Sequence, residues 1–171
     1  MKNYTGYALG RILSQNDLKD AVQKWHSEKK VVVFTNGCFD IIHRGHVEYL
    51  VQAKKMGDIL IVGLNSDTSV KKLKGSDRPY VAEHDRAYIL SQLRPVDAVS
   101  IFEEETPLNL IKLVSPDVLV KGGDYSLKNI VGRKEVEHRG GNVVAIPLIK
   151  GRSTTELIEK IRKPQHKYQN K

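Results

Sequence analysis

The sequence predicts a single-domain α/β protein built on a doubly wound parallel sheet. Short β-branched runs alternate along the chain with segments of helical apolar spacing. The runs are continuously apolar, as strands covered on both faces must be. Small, hydroxyl-bearing or charged residues follow the runs, a composition that suits ligand-binding loops at the carboxyl ends of parallel strands.

Ser14 stands three positions before Asp17, a helix-start signal, and Leu18, Ala21, Val22 and Trp25 continue at helical spacing. Lys29 and Lys30 suit the negative end of that helix dipole. Val31-Val32-Val33-Phe34 reads as a buried strand, bounded by Lys30 and by the turn-rich Thr35-Asn36-Gly37. Further strands are expected over 59–64, 118–120 and 143–146, with a weaker one over 98–102. Helices are expected over 46–55, 85–93, 107–114 and 153–161. No repeat, low-complexity tract or Gly/Ser linker divides the chain. The expected organisation is a helical extension over 1–30, the sheet domain over 31–163 and a flexible polar tail over 164–171.

A length of 171 residues suits one domain, and 40% hydrophobic with 28% charged residues argues against disorder and collagen-like structure. No apolar run approaches the roughly 20 residues that span a bilayer. Residues 1–10 lack an apolar signal core, so a cytoplasmic location is expected. Cys38 is the only cysteine; an internal disulfide is excluded, while metal-thiolate and nucleophilic roles stay open. The balance of 28 Lys+Arg against 20 Asp+Glu, formally +8, leaves three anionic partners: nucleic acid, lipid or a phosphorylated small molecule. An aromatic content of 6% without a base-stacking motif argues against nucleic acid. Basic residues not gathered on one amphipathic helix argue against a membrane surface.

The loops expected at the sheet's carboxyl edge are Thr35-Asn36-Gly37-Cys38-Phe39-Asp40, Asn65-Ser66-Asp67, Lys121-Gly122-Gly123-Asp124-Tyr125 and Gly151-Arg152-Ser153-Thr154-Thr155. After the first comes His43-Arg44-Gly45-His46. A helix starting near Gly45 would leave its first N–H groups unpaired, with a dipole that favours an anion. His43 and His46 would face one side, and Gly45 has no Cβ to obstruct close approach. Such a pair fits polyphosphate contact or a capping role at the surface; a zinc site lacks a third ligand at the usual spacing. Neither a P-loop nor a dinucleotide fingerprint occurs.

Taken alone, Lys121-Gly122-Gly123-Asp124 reads best as a turn. Ser153-Thr154-Thr155 with Glu156 reads as a helix cap whose hydroxyls and N–H groups can also bind phosphate. Lys71, Lys72, Lys74, Arg78 and Arg86 form a basic cluster. Gly75, Asp77 and Pro79 place Lys74 and Arg78 on a loop able to close over a ligand, against the alternative of a solvated charged face. Cys38 reads better as a packed thiol than as a nucleophile, and Trp25 as core or subunit contact.

Together these residues resemble a known family. Thr35-Asn36-Gly37-Cys38-Phe39-Asp40-Ile41-Ile42-His43-Arg44-Gly45-His46 and Ser153-Thr154-Thr155 are similar to two signatures of the HxGH nucleotidyltransferase, or cytidylyltransferase-like, superfamily. Asn65-Ser66-Asp67, Leu73-Lys74-Gly75, Arg78-Pro79, Asp85-Arg86 and Val120-Lys121-Gly122-Gly123-Asp124-Tyr125 most resemble the D-glycero-β-D-manno-heptose 1-phosphate adenylyltransferases.

The resemblance implies a Rossmann-like nucleotidyltransferase fold. It also implies transfer of AMP from ATP to heptose 1-phosphate, giving ADP-heptose and pyrophosphate for lipopolysaccharide or surface-layer glycan assembly. By resemblance, His43 and His46 would donate to the triphosphate, while Lys74, with Lys71, and Arg86 would hold the phosphates of donor and acceptor. Thr35, Asn36, Gly37, Cys38, Phe39 and Gly45 would lie near the phosphates, and Ser153, Thr154 and Thr155 would bind the β- and γ-phosphates. Lys121, Gly122 and Asp124 would line the nucleotide pocket. Mg²⁺ would screen the triphosphate while keeping several waters, and no residue is assigned as its ligand. A homo-oligomer, with a dimer favoured, is implied as well. Many relatives fuse this unit behind a sugar kinase; here a separate heptose kinase would supply the substrate. The alternative enzyme is a CTP-dependent relative acting on glycerol 3-phosphate, and the alternative class is a basic nucleic-acid-binding module.

Overall fold

The computed structural model describes residues 10–123, 129–147, 151 and 153–162. Asp124, Tyr125, Arg152 and the tail 164–171, which carry expectations above, lie outside the described residues. The elements run β1 (Arg11–Ile12), α1 (Gln15–Ser27), β2 (Val32–Gly37), α2 (Arg44–Lys54), β3 (Ile59–Asn65), α3 (Asp67–Lys74), α4 (Glu83–Ser91), β4 (Ala98–Phe102), α5 (Leu108–Val114), β5 (Val118–Gly122), α6 (Arg133–His138), β6 (Asn142–Ile146) and α7 (Thr154–Arg162).

The strands form one parallel sheet in the order β1-β4-β3-β2-β5-β6. Helices cover both faces. On one, Tyr49, Leu50 and Ala53 of α2 and Ala87 and Leu90 of α4 pack with Val33, Leu60, Val62 and Val99. On the other, Leu18 and Trp25 of α1, Leu110 and Ile111 of α5, and Val136 of α6 meet Val32, Phe34, Ile61 and Leu119. Adjacent residues such as Val32 and Val33 serve opposite cores because side chains alternate across a strand. From β2 the chain steps outward through β3 and β4, then returns to place β5 on the other side of β2. The helices after β2 and β5 leave on opposite faces, which opens a crevice at the carboxyl ends of those two strands.

The strands outrun their apolar cores. Thr35-Asn36-Gly37, expected as a turn, is strand, paired with Val62, Gly63 and Leu64. A formed neighbour extends the ladder through backbone pairing, which needs no apolar side chain. Helices α3 and α6 have no counterpart in the apolar pattern because each buries so little: Ser69 and Val70 in α3, Val136 in α6. Lys74, expected on a loop, stands with Lys71 and Lys72 on α3, and the helix ends at Gly75 with φ +99°.

The segment 1–30, expected as an extension, contributes over its described residues an edge strand and a core helix. β1 pairs with β4, and α1 buries Leu18, Val22 and Trp25. Ser14 caps α1, its hydroxyl oxygen accepting from the Asp17 N–H at 3.1 Å. Trp25 is only 8% exposed and carries the Arg11 guanidinium 5.5 Å above its ring, so it is core rather than subunit contact. Among the described residues no helix is long and apolar enough to cross a membrane.

Removing a buried aromatic leaves a cavity that its surroundings fill only in part. Trp25→Ala should therefore lower the unfolding free energy by about 3–5 kcal/mol in urea denaturation. A loss below about 1 kcal/mol would show that α1 lies outside the cooperative unit.

Candidate active site

The crevice between β2 and β5 widens into a cleft of about 520 Å³. Its first wall is the turn after β2. A Cβ on Gly37 would come within 3.0 Å of the Phe39 ring, so only glycine lets that ring lie where it does without displacement. Phe39 adopts the left-handed region, φ +43°, a disfavoured conformation for a non-glycine residue. Its ring tilts against His46 at 5.2 Å, and His46 stacks on His43 with centroids 3.8 Å apart. His43 is the extended N-cap of α2, and its side chain does not cap the first-turn N–H groups of α2 beside the cleft.

Burial first, and the charge of His43 second, push the His46 pKa down to about 4. The ring is neutral at pH 7 and donates from one nitrogen only. Its Nδ1 is buried without a partner among the described residues.

From β5, the Lys121 ammonium crosses the crevice and donates to Asn36 Oδ1 at 3.0 Å. Burial lowers its pKa, with Cys38 acting the other way. Burial also raises the Cys38 pKa above its ordinary 9.0, against the pull of Lys74, Arg86, Lys121 and Arg78. Cys38 therefore stays a thiol at neutral pH and is no nucleophile. Burial holds the Tyr49 phenol protonated as well, its pKa pushed up to about 12.

The second wall is the N-terminus of α7. The Glu156 N–H donates to Ser153 Oγ at 3.1 Å and the Ser153 N–H to Glu156 Oε2 at 3.2 Å, a reciprocal capping box. Thr154 Oγ1 donates to the Ile41 carbonyl at 3.4 Å, so the start of α7 is tied to the turn that precedes α2. Two helix N-termini thus converge on one cleft.

The third wall follows α3. The buried Asp40 carboxylate accepts from Arg78 Nε at 2.6 Å through Oδ2, and from the Tyr80 and Val81 N–H groups at 2.7 and 3.0 Å through Oδ1. Arg78 is thereby fixed at the cleft's edge, and the segment 78–81 is stitched to the turn after β2. Asp40 received no role from the sequence, because its partners lie 38 to 41 positions away and no local pattern marks them. Asn65, from a loop expected at the carboxyl edge, and Leu73, beside Lys74, also line the cleft, as do Tyr49, Glu105, Thr106, Pro107 and Val131, which nothing in the sequence assigned to it.

Of the expected site residues, the cleft gathers His43, His46 and Lys74 with Asn36, Gly37, Cys38, Phe39 and Gly45. Lys121, Gly122, Ser153, Thr154 and Thr155 line it too. Three expected residues do not. Thr35 is fully buried, its hydroxyl sharing a 2.6 Å hydrogen bond with Tyr49. Lys71 is exposed on α3 and does not line the cleft. Arg86 is fully buried, and its guanidinium donates to Val81 O at 2.8 Å, Cys38 O at 2.5 Å and Asp67 Oδ1 at 2.7 Å, all within the protein. Asp124 lies outside the described residues. Among the described residues, no group of three or more His, Cys, Asp or Glu side chains is placed to hold a metal ion. A second hollow of about 410 Å³ between α5 and α6 contains none of the expected residues.

Residues 34–163 match the family described as cytidylyltransferase-like. The bifunctional protein HldE of Citrifermentans bemidjiense is 53% identical over 151 residues, covering 88% of this chain and 31% of its own length. The bifunctional protein HldE of Nitratiruptor sp. is 56% identical over 137 residues, covering 80% and 29%. The chain thus spans about a third of the length of the curated relatives it matches. Among solved structures, the lipopolysaccharide core biosynthesis protein of Thermoplasma volcanium is 27% identical, with a TM-score of 0.58 over 70% of this chain and 97% of its own. Pantoate-β-alanine ligase of Francisella tularensis, 13% identical with a TM-score of 0.60 over 85% and 69%, shares the fold.

The low His46 pKa has a consequence for stability. Between about 4 and the ordinary 6.5, an unfolded chain protonates this histidine and the folded chain does not. The unfolded state binds more protons there, so stability rises with pH across that window and falls as the solution is acidified through it. His46→Gln removes the titration, and its urea midpoint should fall less than the wild-type midpoint on acidification across the same window. Equal falls would contradict a neutral, buried His46.

Proposed function

Because the chain belongs to the cytidylyltransferase-like family, we propose that it transfers AMP from ATP to D-glycero-β-D-manno-heptose 1-phosphate, forming ADP-heptose and releasing pyrophosphate. The observation that carries this reading is the convergence of two helix N-termini on one cleft, at His43–His46 and at Ser153–Thr155, with Lys74, Arg78 and Lys121 between them. The likeness to bifunctional HldE proteins, at about half identity, supports it for the matched third of their length.

A phosphate oxygen of the sugar phosphate attacks the α-phosphorus of ATP in line. The new P–O bond forms as the bond from that phosphorus to the oxygen bridging to the β-phosphate breaks, and the electron pair leaves on pyrophosphate. A sugar phosphate, with a second pKa of about 6, is mostly dianionic at pH 7, so the attack needs no general base. The protein's work is to hold two polyanions together and to neutralise the charge that builds on the α-phosphate and the leaving group.

His43, His46 and the N-terminus of α2 meet the triphosphate from one side. The N-terminus of α7 takes the β- and γ-phosphates from the other, and Lys74 and Arg78 close the third. An incoming anion favours the protonated imidazole, so ATP binding raises the His46 pKa from about 4 and draws a proton to the ring. Mg²⁺, when bound, screens triphosphate charge. Asp40, whose two oxygens already accept from Arg78, Tyr80 and Val81, and Glu105 are the described carboxylates lining the cleft, too few for a protein cage around it, and phosphate and water oxygens are its expected ligands. A cytoplasmic reaction, a homodimeric assembly and a sugar kinase that supplies the acceptor belong to the same proposal.

ATP with heptose 1-phosphate should release pyrophosphate, and His46→Ala should lower kcat by about 10²-fold or more, as for loss of a transition-state donor. An unchanged kcat in the variant would remove His46 from the mechanism. Release with CTP and glycerol 3-phosphate, but not with ATP and heptose 1-phosphate, would replace the substrates named above.

A further inference from the structure

Arg86 is the largest of the fully buried side chains among the described residues, yet it does not line the cleft. Arginine is almost never buried without pairing, and here one ion pair, to Asp67, is joined by two bonds to backbone carbonyls. Those bonds reach three separate segments: Asp67 at the start of α3, Val81 in the stitched segment, and Cys38 in the turn after β2. The bond to the Cys38 carbonyl is short and charge-assisted.

That carbonyl belongs to the same peptide unit as the Phe39 N–H, and in a trans peptide the two point in opposite directions. Anchoring the carbonyl on Arg86 turns the N–H away from Arg86. Phe39 lines the cleft, is only 6% exposed and holds the disfavoured φ of +43°. Its N–H donates to no acceptor among the described residues. A backbone N–H at the wall of the cleft that no protein acceptor takes up is available to an acceptor that enters with the ligand.

We propose that Arg86 is a positioning residue: it holds the Cys38–Phe39 peptide so that the Phe39 N–H is presented to the phosphates of the bound nucleotide. The proposal rests on the reading of the cleft as a nucleotide site. It differs from phosphate binding by Arg86 itself, because every contact of the guanidinium lies inside the protein. It gives Asp67, which does not line the cleft, the same indirect role through its ion pair.

The test uses the full ¹⁵N-labelled chain with ATP as the probe, in the wild type, Arg86→Lys, Asp67→Asn and the double variant. In the wild type, ATP should move the Phe39 amide proton strongly downfield. Each folded variant should lose more than about half of that shift, with kcat down about 10- to 100-fold and KM for ATP changed less than about 3-fold. The double variant should be no worse than the worse single one, since both act through one bond network.

A direct electrostatic role predicts the opposite split. Arg86→Lys would then raise KM, and Asp67→Asn, which removes a negative charge, would leave ATP binding equal or tighter with kcat intact. A full Phe39 shift in either folded variant, or no shift in the wild type, overturns the proposal. Should Arg86→Lys fail to fold, the partly exposed Asp67 still gives a deciding variant. If the wild type shows the Phe39 shift but makes no pyrophosphate with heptose 1-phosphate, the acceptor assignment fails while the amide signal still decides the role of Arg86.

Discussion

A buried carboxylate must be paired, and the pairing of Asp40 determines how the cleft is walled. The residue is 4% exposed and sits three positions after β2, where any shift would carry the start of α2 with it. Its three donors all come from the segment 78–81, so the two segments cannot move apart without stranding a charge. The tie continues to α7. The Arg162 guanidinium donates to the Tyr80 hydroxyl at 2.8 Å, while Thr154 at the other end of that helix donates to Ile41, the residue after Asp40. No residue of α7 is fully buried, so these polar ties at both ends supplement a thin apolar contact. The second helix N-terminus of the cleft is therefore positioned largely by bonds that lead back to Asp40 and its neighbours.

The same region gathers positive charge at a cost. Lys121 is pulled below its ordinary pKa by burial, and His46 falls to about 4 for the same reason. Both shifts mean that burial in the cleft disfavours the cationic forms, and both are relieved by an anion. Composition alone left a formal +8 that suited nucleic acid, lipid or small phosphates equally. The position of Lys74, Arg78 and Lys121 around a concave site of nucleotide size, rather than along a flat or helical face, is what favours the last.

The central strands and the helices that cover them were legible because their apolar residues are dense and periodic. Val32–Phe34 needs no tertiary context to be read as buried, nor do Leu18, Val22 and Trp25. Elements held by few apolar contacts were not legible: β1 has two residues, α3 reads as a run of lysines around Val70, and α6 rests on Val136. The site divided in the same way. His43, His46 and Ser153–Thr155, which the cleft gathers, were legible as candidates because helix starts have a local grammar. Asp40 was overlooked, and Arg86, expected at the phosphates, is buried and does not line the cleft, because burial is decided by partners tens of positions away in sequence. Thr35 stands out of the cleft for a related reason, since the strand outran its apolar run and turned that hydroxyl toward Tyr49.

The most direct test of a phosphate site at the junction of β2 and β5 is a crystal structure of the chain with ATP and Mg²⁺. The triphosphate should lie within hydrogen-bond distance, about 3 Å, of the His46 ring and the N-terminus of α2, with its terminal phosphates at Ser153–Thr155. A triphosphate seated elsewhere, such as the hollow between α5 and α6, would contradict the account.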